Sequence, residues 1–214
     1  MLLLFSFVSA ASGLTTTRRG FFVDAYAGYF ASVESLPSRY EAALRPLKED
    51  LFADMRSRGQ RVVEVGPGPG TNVDWLGEPA SYVAVEKNPF FGAGGYGDLR
   101  EVPSDSADIV VATLVLCSID DARSAVSEIR RILVRGGRYY FLEHVRSDDA
   151  TYALGQAAVK PLQQLLADGC DPTKDTEADI RAAFGTIPKL QRTDLAPTFF
   201  PLSPVLYGVA VKSD

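Results

Sequence analysis

A glycine-rich loop between two short apolar runs constrains the fold of this chain more than any other feature. Residues 62–65 read Val-Val-Glu-Val and lead into Gly66-Pro67-Gly68-Pro69-Gly70, while residues 83–86 read Val-Ala-Val-Glu. This order is typical of a buried strand, a loop that contacts a ligand, a helix and a second strand. Alternating glycines allow the backbone to approach a ligand closely, because a side chain would occupy the ligand's volume. The pattern predicts a doubly wound α/β sheet that binds a nucleoside, with Glu86 accepting hydrogen bonds from ribose hydroxyls.

The composition of the loop also discriminates between ligands. A dinucleotide fingerprint has glycine at the first, third and sixth positions, and the sixth position counted from Gly66 is Thr71. Pro67 and Pro69 have no N–H group to donate to a phosphate. NAD, FAD and a phosphate-cradling loop are therefore disfavoured. The remaining candidate ligand is a nucleoside with a compact zwitterionic tail.

Length, charge and cysteine content narrow the class of protein further. The chain has 214 residues, of which 46% are hydrophobic, which is enough to bury one sizeable core. A net charge of −5 without a cluster of Lys and Arg argues against a nucleic-acid partner and favours a small-molecule substrate. Cys117 and Cys170 are too few for a disulfide framework. The spacing of these two cysteines and the single histidine, His144, predicts no metal site.

The first residues form a separate segment. Residues 2–11 are almost wholly apolar, and residues 12–19 contain Ser, Thr and two arginines without an acid. An apolar run of ~10 residues is too short to span a bilayer and is typical of a signal-peptide core. We therefore predict a targeting or membrane-anchor segment over residues 1–20 and one domain over residues 21–214. The expected location is the endoplasmic reticulum or another organelle such as a plastid or mitochondrion, with peripheral membrane contact. A buried or disordered N-terminus is the alternative.

The remaining periodicity predicts alternating helices and strands. A helix is expected over residues 38–58, with Pro46 kinking or dividing it. A strand over 109–113 precedes a helix over 121–134 that Gly136 and Gly137 should stop. A strand over 139–142 then delivers Glu143 and His144 at its carboxyl end. Helices over 150–167 and 176–184 and a hairpin of strands over 190–195 and 205–212 complete a mostly parallel sheet with an antiparallel edge.

Several motifs resemble those of a known family. Glu64-Val65-Gly66-x-Gly68-x-Gly70 with Glu86 resembles the cofactor site of class I S-adenosylmethionine (SAM) dependent methyltransferases. Later motifs are similar to those of the alkyl-thiol methyltransferase group, membrane-associated proteins of the endoplasmic reticulum and lipid droplets. These are Leu114-Val115-Leu116-Cys117-Ser118, Gly136-Gly137-x-x-Tyr140-Phe141-x-Glu143-His144-Val145, Asp168-Gly169-Cys170 and Tyr207-Gly208-x-Ala210-Val211-Lys212.

The resemblance implies methyl transfer from SAM to the sulfur of a small lipophilic thiol or of hydrogen sulfide. Quinone-type C-methyltransferases share part of the pattern. Methylation of carbon or oxygen in a quinone-like or other small lipid, and SAM binding without activity, therefore stay open.

The resemblance also assigns site residues. Asp98 and Leu99 align with residues that meet the adenine. Independently of the resemblance, the only histidine, His144, follows a strand end, where ligands bind, and is the candidate base for a thiol because imidazole titrates near neutral pH. Only residues 87–97 separate Glu86 from Asp98, so the helix usual in the family should be missing and the third-strand region shortened. The full set of predicted cofactor contacts is Glu64, Gly66, Gly68, Gly70, Glu86, Asp98, Leu99, Leu116 and Cys117.

Overall fold

The structure, a computed structural model, describes residues 38–88, 95–96, 98–185 and 187–213. The predicted targeting segment over residues 1–20 lies outside these residues. The described part contains seven strands and four α-helices. The strands are β1 (Arg61–Val65), β2 (Ser81–Val85), β3 (Gly95–Tyr96), β4 (Ala107–Thr113), β5 (Leu133–His144), β6 (Lys189–Asp194) and β7 (Pro204–Val211). The helices are α1 (Arg39–Phe52), α2 (Ala122–Ile132), α3 (Ala150–Leu166) and α4 (Thr176–Phe184).

All seven strands form one sheet in the order β3-β2-β1-β4-β5-β7-β6. The first five strands in this order are parallel, whereas β7 pairs antiparallel with both β5 and β6. This arrangement confirms the predicted α/β class, a Rossmann-like class I methyltransferase sheet with an antiparallel edge. The carboxyl ends of β1, β2, β4 and β5 consequently meet at one edge of the sheet, where ligands bind in such folds.

The sheet separates two hydrophobic cores. On one face, residues of α2 and α4 such as Val126 and Ile180 pack against Val63 and Val65 of β1. On the other face, Leu44 and Leu51 of α1 pack against Val62. Successive residues of β1 thus point to opposite faces, and both are covered by helices. Burial on both faces explains the nearly continuous apolar sequence of the central strands.

The connection between β1 and β2 differs from the prediction of a helix. The structure has a single 3₁₀ turn over Val73–Trp75, so the predicted helix is wrong. Few residues separate the loop from β2, and they include Gly77 in the left-handed region (φ 64°) and Pro79. Such residues end a helix soon after it starts.

Two predicted helix boundaries also require correction. The helix predicted over 38–58 ends at Phe52 and is not divided, since Pro46 lies inside one continuous helix that Ser38 caps by accepting from the Glu41 N–H. The helix predicted over 121–134 ends at Ile132, because Leu133 is already extended (φ −66°, ψ 141°) and starts β5. Gly136 and Gly137 lie within β5 and do not stop the helix.

The remaining predicted elements agree closely with the structure. The third strand is indeed short, since β3 has two residues and pairs in parallel with β2. The helices α3 and α4 and the β6–β7 hairpin lie where periodicity predicts them. Within the described residues, no helix has both the length and the apolar content needed to cross a membrane.

Candidate cofactor and active site

The glycine loop after β1 has the backbone conformation that its glycines predict. Gly66, Gly68 and Gly70 all lie at positive φ (61°, 53° and 83°), a region that other residues rarely adopt. A Cβ atom built on Gly66 would lie 2.4 Å from Cγ2 of Val115. The loop therefore packs closely against the segment that follows β4, and position 66 excludes any side chain.

Glu86 at the end of β2 is bound to this loop. Its Oε2 accepts from the Gly68 N–H at 3.1 Å, and its Oε1 accepts from the Asn88 N–H at 2.8 Å. The two backbone amides orient the carboxylate at the edge of the sheet. An ionised carboxylate has about four lone-pair sites, so its acceptor capacity exceeds these two bonds.

Glu64 lies behind the loop and is fully buried. Its Oε1 accepts from Nδ2 of Asn72 at 2.7 Å, and its Oε2 accepts from the Tyr82 hydroxyl at 2.6 Å. Asn72 also donates to Oγ1 of Thr113 at 2.8 Å. Burial raises the pKa of Glu64 above its ordinary value. Through Asn72, this carboxylate connects β1, the segment after the glycine loop and the end of β4.

A cavity of about 650 Å³ opens beside the glycine loop. Four predicted cofactor contacts line it: Gly66, Glu86, Asp98 and Leu99. Leu99 is buried. Asp98 pairs with Arg100, which lowers the pKa of its carboxyl to about 2. Asp98 is therefore a charged acceptor at neutral pH, although Arg100 already binds it.

The other predicted contacts are not among the described residues that line this cavity. Leu116 and Cys117 are fully buried. Gly68 donates to Glu86, and the Gly70 N–H donates to the Pro67 carbonyl within the loop. The structure thus brings Gly66, Glu86, Asp98 and Leu99 to one cavity, with Gly68 and Gly70 in the adjoining loop, and puts Glu64, Leu116 and Cys117 in the buried layer behind it.

Glu143 supports the site but is absent from the residues predicted for it. Its buried carboxylate accepts from the backbone N–H groups of Val115, Leu116 and Cys117 at 3.3, 3.0 and 3.4 Å. Burial raises the pKa of Glu143 to about 7, although these bonds act in the opposite direction. Glu143 fixes the segment against which Gly66 packs. It shares a sequence signal with Glu64 and Glu86, an acid at or near the carboxyl end of a buried strand.

Lys48 and Asn72 are two further residues that the sequence prediction missed. Lys48 is a buried lysine on α1 whose Nζ donates to Oε1 of Glu41 at 2.5 Å and to Oγ1 of Thr71 at 3.0 Å. It therefore ties α1 to the residue that follows Gly70. Nothing in the local pattern distinguishes Lys48 from a solvated helix lysine, because its partner Thr71 is distant in sequence.

His144 lies in a buried cluster and is not among the described residues that line the cavity. Its Nε2 is 2.8 Å from the Tyr40 hydroxyl, and its Nδ1 is 3.4 Å from Sγ of Cys117 and 3.3 Å from Sγ of Cys170. The potential metal-ligand atoms of Cys117, His144 and Cys170 all lie within 4.8 Å of one another. The spacing along the sequence predicts no metal cluster, yet the fold brings these three distant segments together.

The fold and this site together define a class I SAM-dependent methyltransferase. Gly66, Gly68 and Gly70 have no Cβ atoms, and Glu86 has a carboxylate at the end of β2. The cavity beside them has the volume of a small-molecule site. These features fit SAM, which is a nucleoside with a compact zwitterionic tail.

Comparison with known proteins assigns the chain to a family. Residues 37–174 match the family described as a methyltransferase domain. Thiol S-methyltransferase TMT1A of Homo sapiens is 30% identical over 81% of this chain and 81% of its own. Thiol S-methyltransferase TMT1B of Rattus norvegicus is 28% identical over 83% of each. The chain belongs to the methyltransferase domain family, is an enzyme of this type and uses SAM as its methyl donor.

Solved structures support the fold assignment. A SAM-dependent methyltransferase from Mesorhizobium loti superposes with a TM-score of 0.59 and 17% identity, covering 79% of this chain and 97% of that one. A second SAM-dependent methyltransferase, from Aquifex aeolicus, gives a TM-score of 0.55 at 13% identity, covering 86% and 97%. At these identities the likeness concerns the fold alone.

Proposed function

We propose that this methyltransferase transfers the methyl group of SAM to the sulfur of a small lipophilic thiol. The observation that carries the proposal is the similarity to proteins named thiol S-methyltransferases over about four fifths of both chains. Methyl transfer from SAM to a thiol needs no covalent intermediate with the protein. Methyl transfer requires an aligned nucleophile and the exclusion of water.

We assign cofactor binding to the residues predicted from the sequence, with two kinds of role. Gly66, Gly68 and Gly70 offer backbone, Glu86 accepts from the ribose hydroxyls, and Asp98 and Leu99 contact the adenine. Glu64, Leu116 and Cys117 hold these groups in position from the layer behind. Bound SAM supplies a methyl group on a sulfonium whose leaving group is a neutral thioether.

The acceptor thiol reacts as its thiolate, so the reaction needs a route for one proton. His144 remains our candidate for the group that receives it. Its Nε2 contacts Tyr40 and its Nδ1 contacts two thiols, so both nitrogens already have partners. Any proton reaching Nδ1 would pass through the position now occupied by Cys117 or Cys170.

Two assays test the proposed reaction in sequence. Thermal unfolding with SAM or NAD tests the ligand class, since a ligand at a hundred times its Kd adds about 2.7 kcal/mol of stability. Methylation is then measured with a small alkyl thiol and with a quinol of similar size. A product methylated on sulfur supports the proposal. Methylation of only the quinol would show that the acceptor atom is carbon or oxygen. SAM binding without any methylated product would support a protein that binds SAM without activity.

The role of His144 has a separate test. If His144 assists deprotonation, His144→Asn should lower turnover by about a hundredfold or more with little change in SAM affinity. The deficit should shrink as the pH approaches about 8.5, where an ordinary thiol ionises without help. The measurement is the ratio of wild-type to variant rates from about pH 6 to about pH 9. A constant ratio would leave alignment and desolvation as the whole mechanism.

We further propose that residues 1–20 direct the protein to the endoplasmic reticulum or another organelle and give it peripheral membrane contact. The support is the sequence alone, an apolar stretch followed by a basic, hydroxyl-rich one.

A further inference from the structure

Three side chains with metal-binding chemistry meet in the interior beside the cofactor cavity. Cys117 follows β4, His144 ends β5, and Cys170 follows α3. Their exposed fractions are 0%, 5% and 4%. The two cysteines and the histidine are the only residues of these types in the chain. Three separate segments therefore bring all of its thiol and imidazole groups to one buried point.

The hydrogen bonds of His144 determine which of its ring nitrogens carries the proton. The Tyr40 hydroxyl donates to the Leu202 carbonyl at 2.9 Å, so it accepts from the Nε2–H group of His144 at 2.8 Å. With the proton on Nε2, the lone pair of Nδ1 points to Cys117 and Cys170. An imidazole whose second nitrogen donates to an oriented oxygen is the usual arrangement of a histidine that binds a metal.

We propose that Cys117, His144 and Cys170 bind a zinc ion. With zinc on Nδ1 and a proton on Nε2, His144 cannot also accept a proton from the acceptor thiol, so the metal site is an alternative to the base role proposed above. Tetrahedral zinc with Zn–S bonds of about 2.3 Å and a Zn–N bond of about 2.05 Å requires N···S separations of about 3.6 Å. The two Nδ1···Sγ distances, 3.4 and 3.3 Å, are within a few tenths of an ångström of this value. The three potential ligand atoms all lie within 4.8 Å of one another.

The charge of the complex also suits its surroundings. On binding, each thiol loses its proton to the solvent, and two thiolates with a neutral imidazole balance the two positive charges of Zn²⁺. A neutral group is the form that a buried site accommodates at least cost. Three protein ligands leave a coordination position open for a small exogenous ligand. Zinc would also cross-link the ends of β4 and β5 to the turn after α3.

Cobalt provides a spectroscopic probe of the ligand set. The full chain is purified reduced and metal-free, and Co²⁺ is added without oxygen. We expect a thiolate-to-cobalt charge-transfer band and the intense visible bands of tetrahedral Co²⁺, which added Zn²⁺ abolishes by displacement. X-ray absorption of the zinc-loaded wild type should show two sulfur neighbours and a nitrogen neighbour. Neither readout depends on methyl transfer, so failure of the zinc proposal can be distinguished from failure of the proposed reaction.

Variants assign the ligands. Cys117→Ser and Cys170→Ser should each remove most of the charge-transfer intensity, and His144→Asn should weaken zinc binding severely. Tyr40→Phe keeps all three ligands but removes the hydrogen bond to Nε2, so zinc affinity should fall about 10- to 100-fold. Asp54→Asn is the matched control, because Asp54 is an exposed acid paired with Arg138. It should bind zinc like the wild type.

Three results would overturn the proposal. One is a cobalt spectrum without thiolate bands in the reduced, folded wild type. Another is an absorption spectrum of the zinc form that contains only oxygen and nitrogen neighbours, which needs no variant to fold. A third is a disulfide between Cys117 and Cys170 that persists through purification under mild reductant, found by titrating thiols before and after strong reduction.

Discussion

At the scale of single residues, Glu86 holds the glycine loop in place and is also the residue that we propose for the ribose hydroxyls. Its carboxylate receives two backbone N–H groups, one from the glycine loop and one from the residues after β2. The bond from Gly68 keeps the loop at the edge of the cavity. The lone pairs that remain are the ones that ribose hydroxyls would use.

Replacing Glu86 with alanine should therefore weaken SAM binding while the protein stays folded. The expected loss is about 1.5 to 3 kcal/mol, the range for hydrogen bonds to a charged group. Titration calorimetry measures it. Glu78→Ala is the control, since Glu78 is an exposed acid paired with Arg58. Equal SAM affinities for Glu86→Ala and wild type would remove Glu86 from the cofactor site.

Gly66 permits a sharper substitution test. Alanine at a left-handed position costs about 1 to 2 kcal/mol from its backbone conformation, and at Gly66 it also overlaps Val115. Gly136→Ala is the matched control, because Gly136 has φ 76° but no atom within 4 Å of its added Cβ. Gly66→Ala should be the more destabilising of the two in urea unfolding, and Val115→Ala should partly rescue it. Similar losses for both glycines would mean that Val115 moves aside freely.

At the scale of elements, β5 supports the cofactor site from behind through Glu143. Glu143→Ala would leave the N–H groups of Val115, Leu116 and Cys117 without their buried acceptor. We expect a loss of about 2 to 4 kcal/mol of stability together with weaker SAM binding. Glu143→Gln retains one acceptor oxygen and should be milder. If chemical denaturation ranks the two variants equally, the carboxylate does not hold this segment.

The sequence predicts the order of elements well, because the relevant signals are local. Apolar runs ending in Glu64 and Glu86 identify the strands on both sides of the glycine loop, and helical periodicity identifies α4 over its full length. Predictions failed where the start or the end of a helix depends on a few neighbouring residues. The segment after Gly70 is too short and too rich in helix breakers for a helix, and Leu133 turns extended before the glycines that were expected to end α2.

The site itself was predictable only in part. Glycines and acids at strand ends are visible in the sequence, so the residues around the cavity could be named in advance. The contacts behind them could not, because Asn72 meets Thr113 and His144 meets Cys117 and Cys170 only after the strand order is set. Adjacency of β1 and β4 brings Asn72 to Thr113, and adjacency of β4 and β5 brings Cys117 to His144.

At the scale of the whole molecule, the described domain has its own core on both faces of the sheet. Removing residues 1–20 should therefore leave SAM binding intact while it abolishes membrane association. Cell fractionation and calorimetry on the full chain and the shortened chain measure the two properties separately. A fusion of residues 1–20 to a fluorescent protein is the complementary control and should reach the same organelle. Loss of SAM binding on truncation would assign these residues to the domain.

The strand order has a consequence for the synthesis of this protein on the ribosome. β7 is the last of the described strands along the chain, yet it lies between β5 and β6 and is buried over nearly its whole length. Until residues 204–211 emerge from the exit tunnel, the edge of β5 that faces away from β4 has no partner strand. An unpaired strand edge can pair with other chains. A chain cut or terminated shortly before residue 204 would contain the glycine loop but would leave this edge of β5 unpaired and open to other chains.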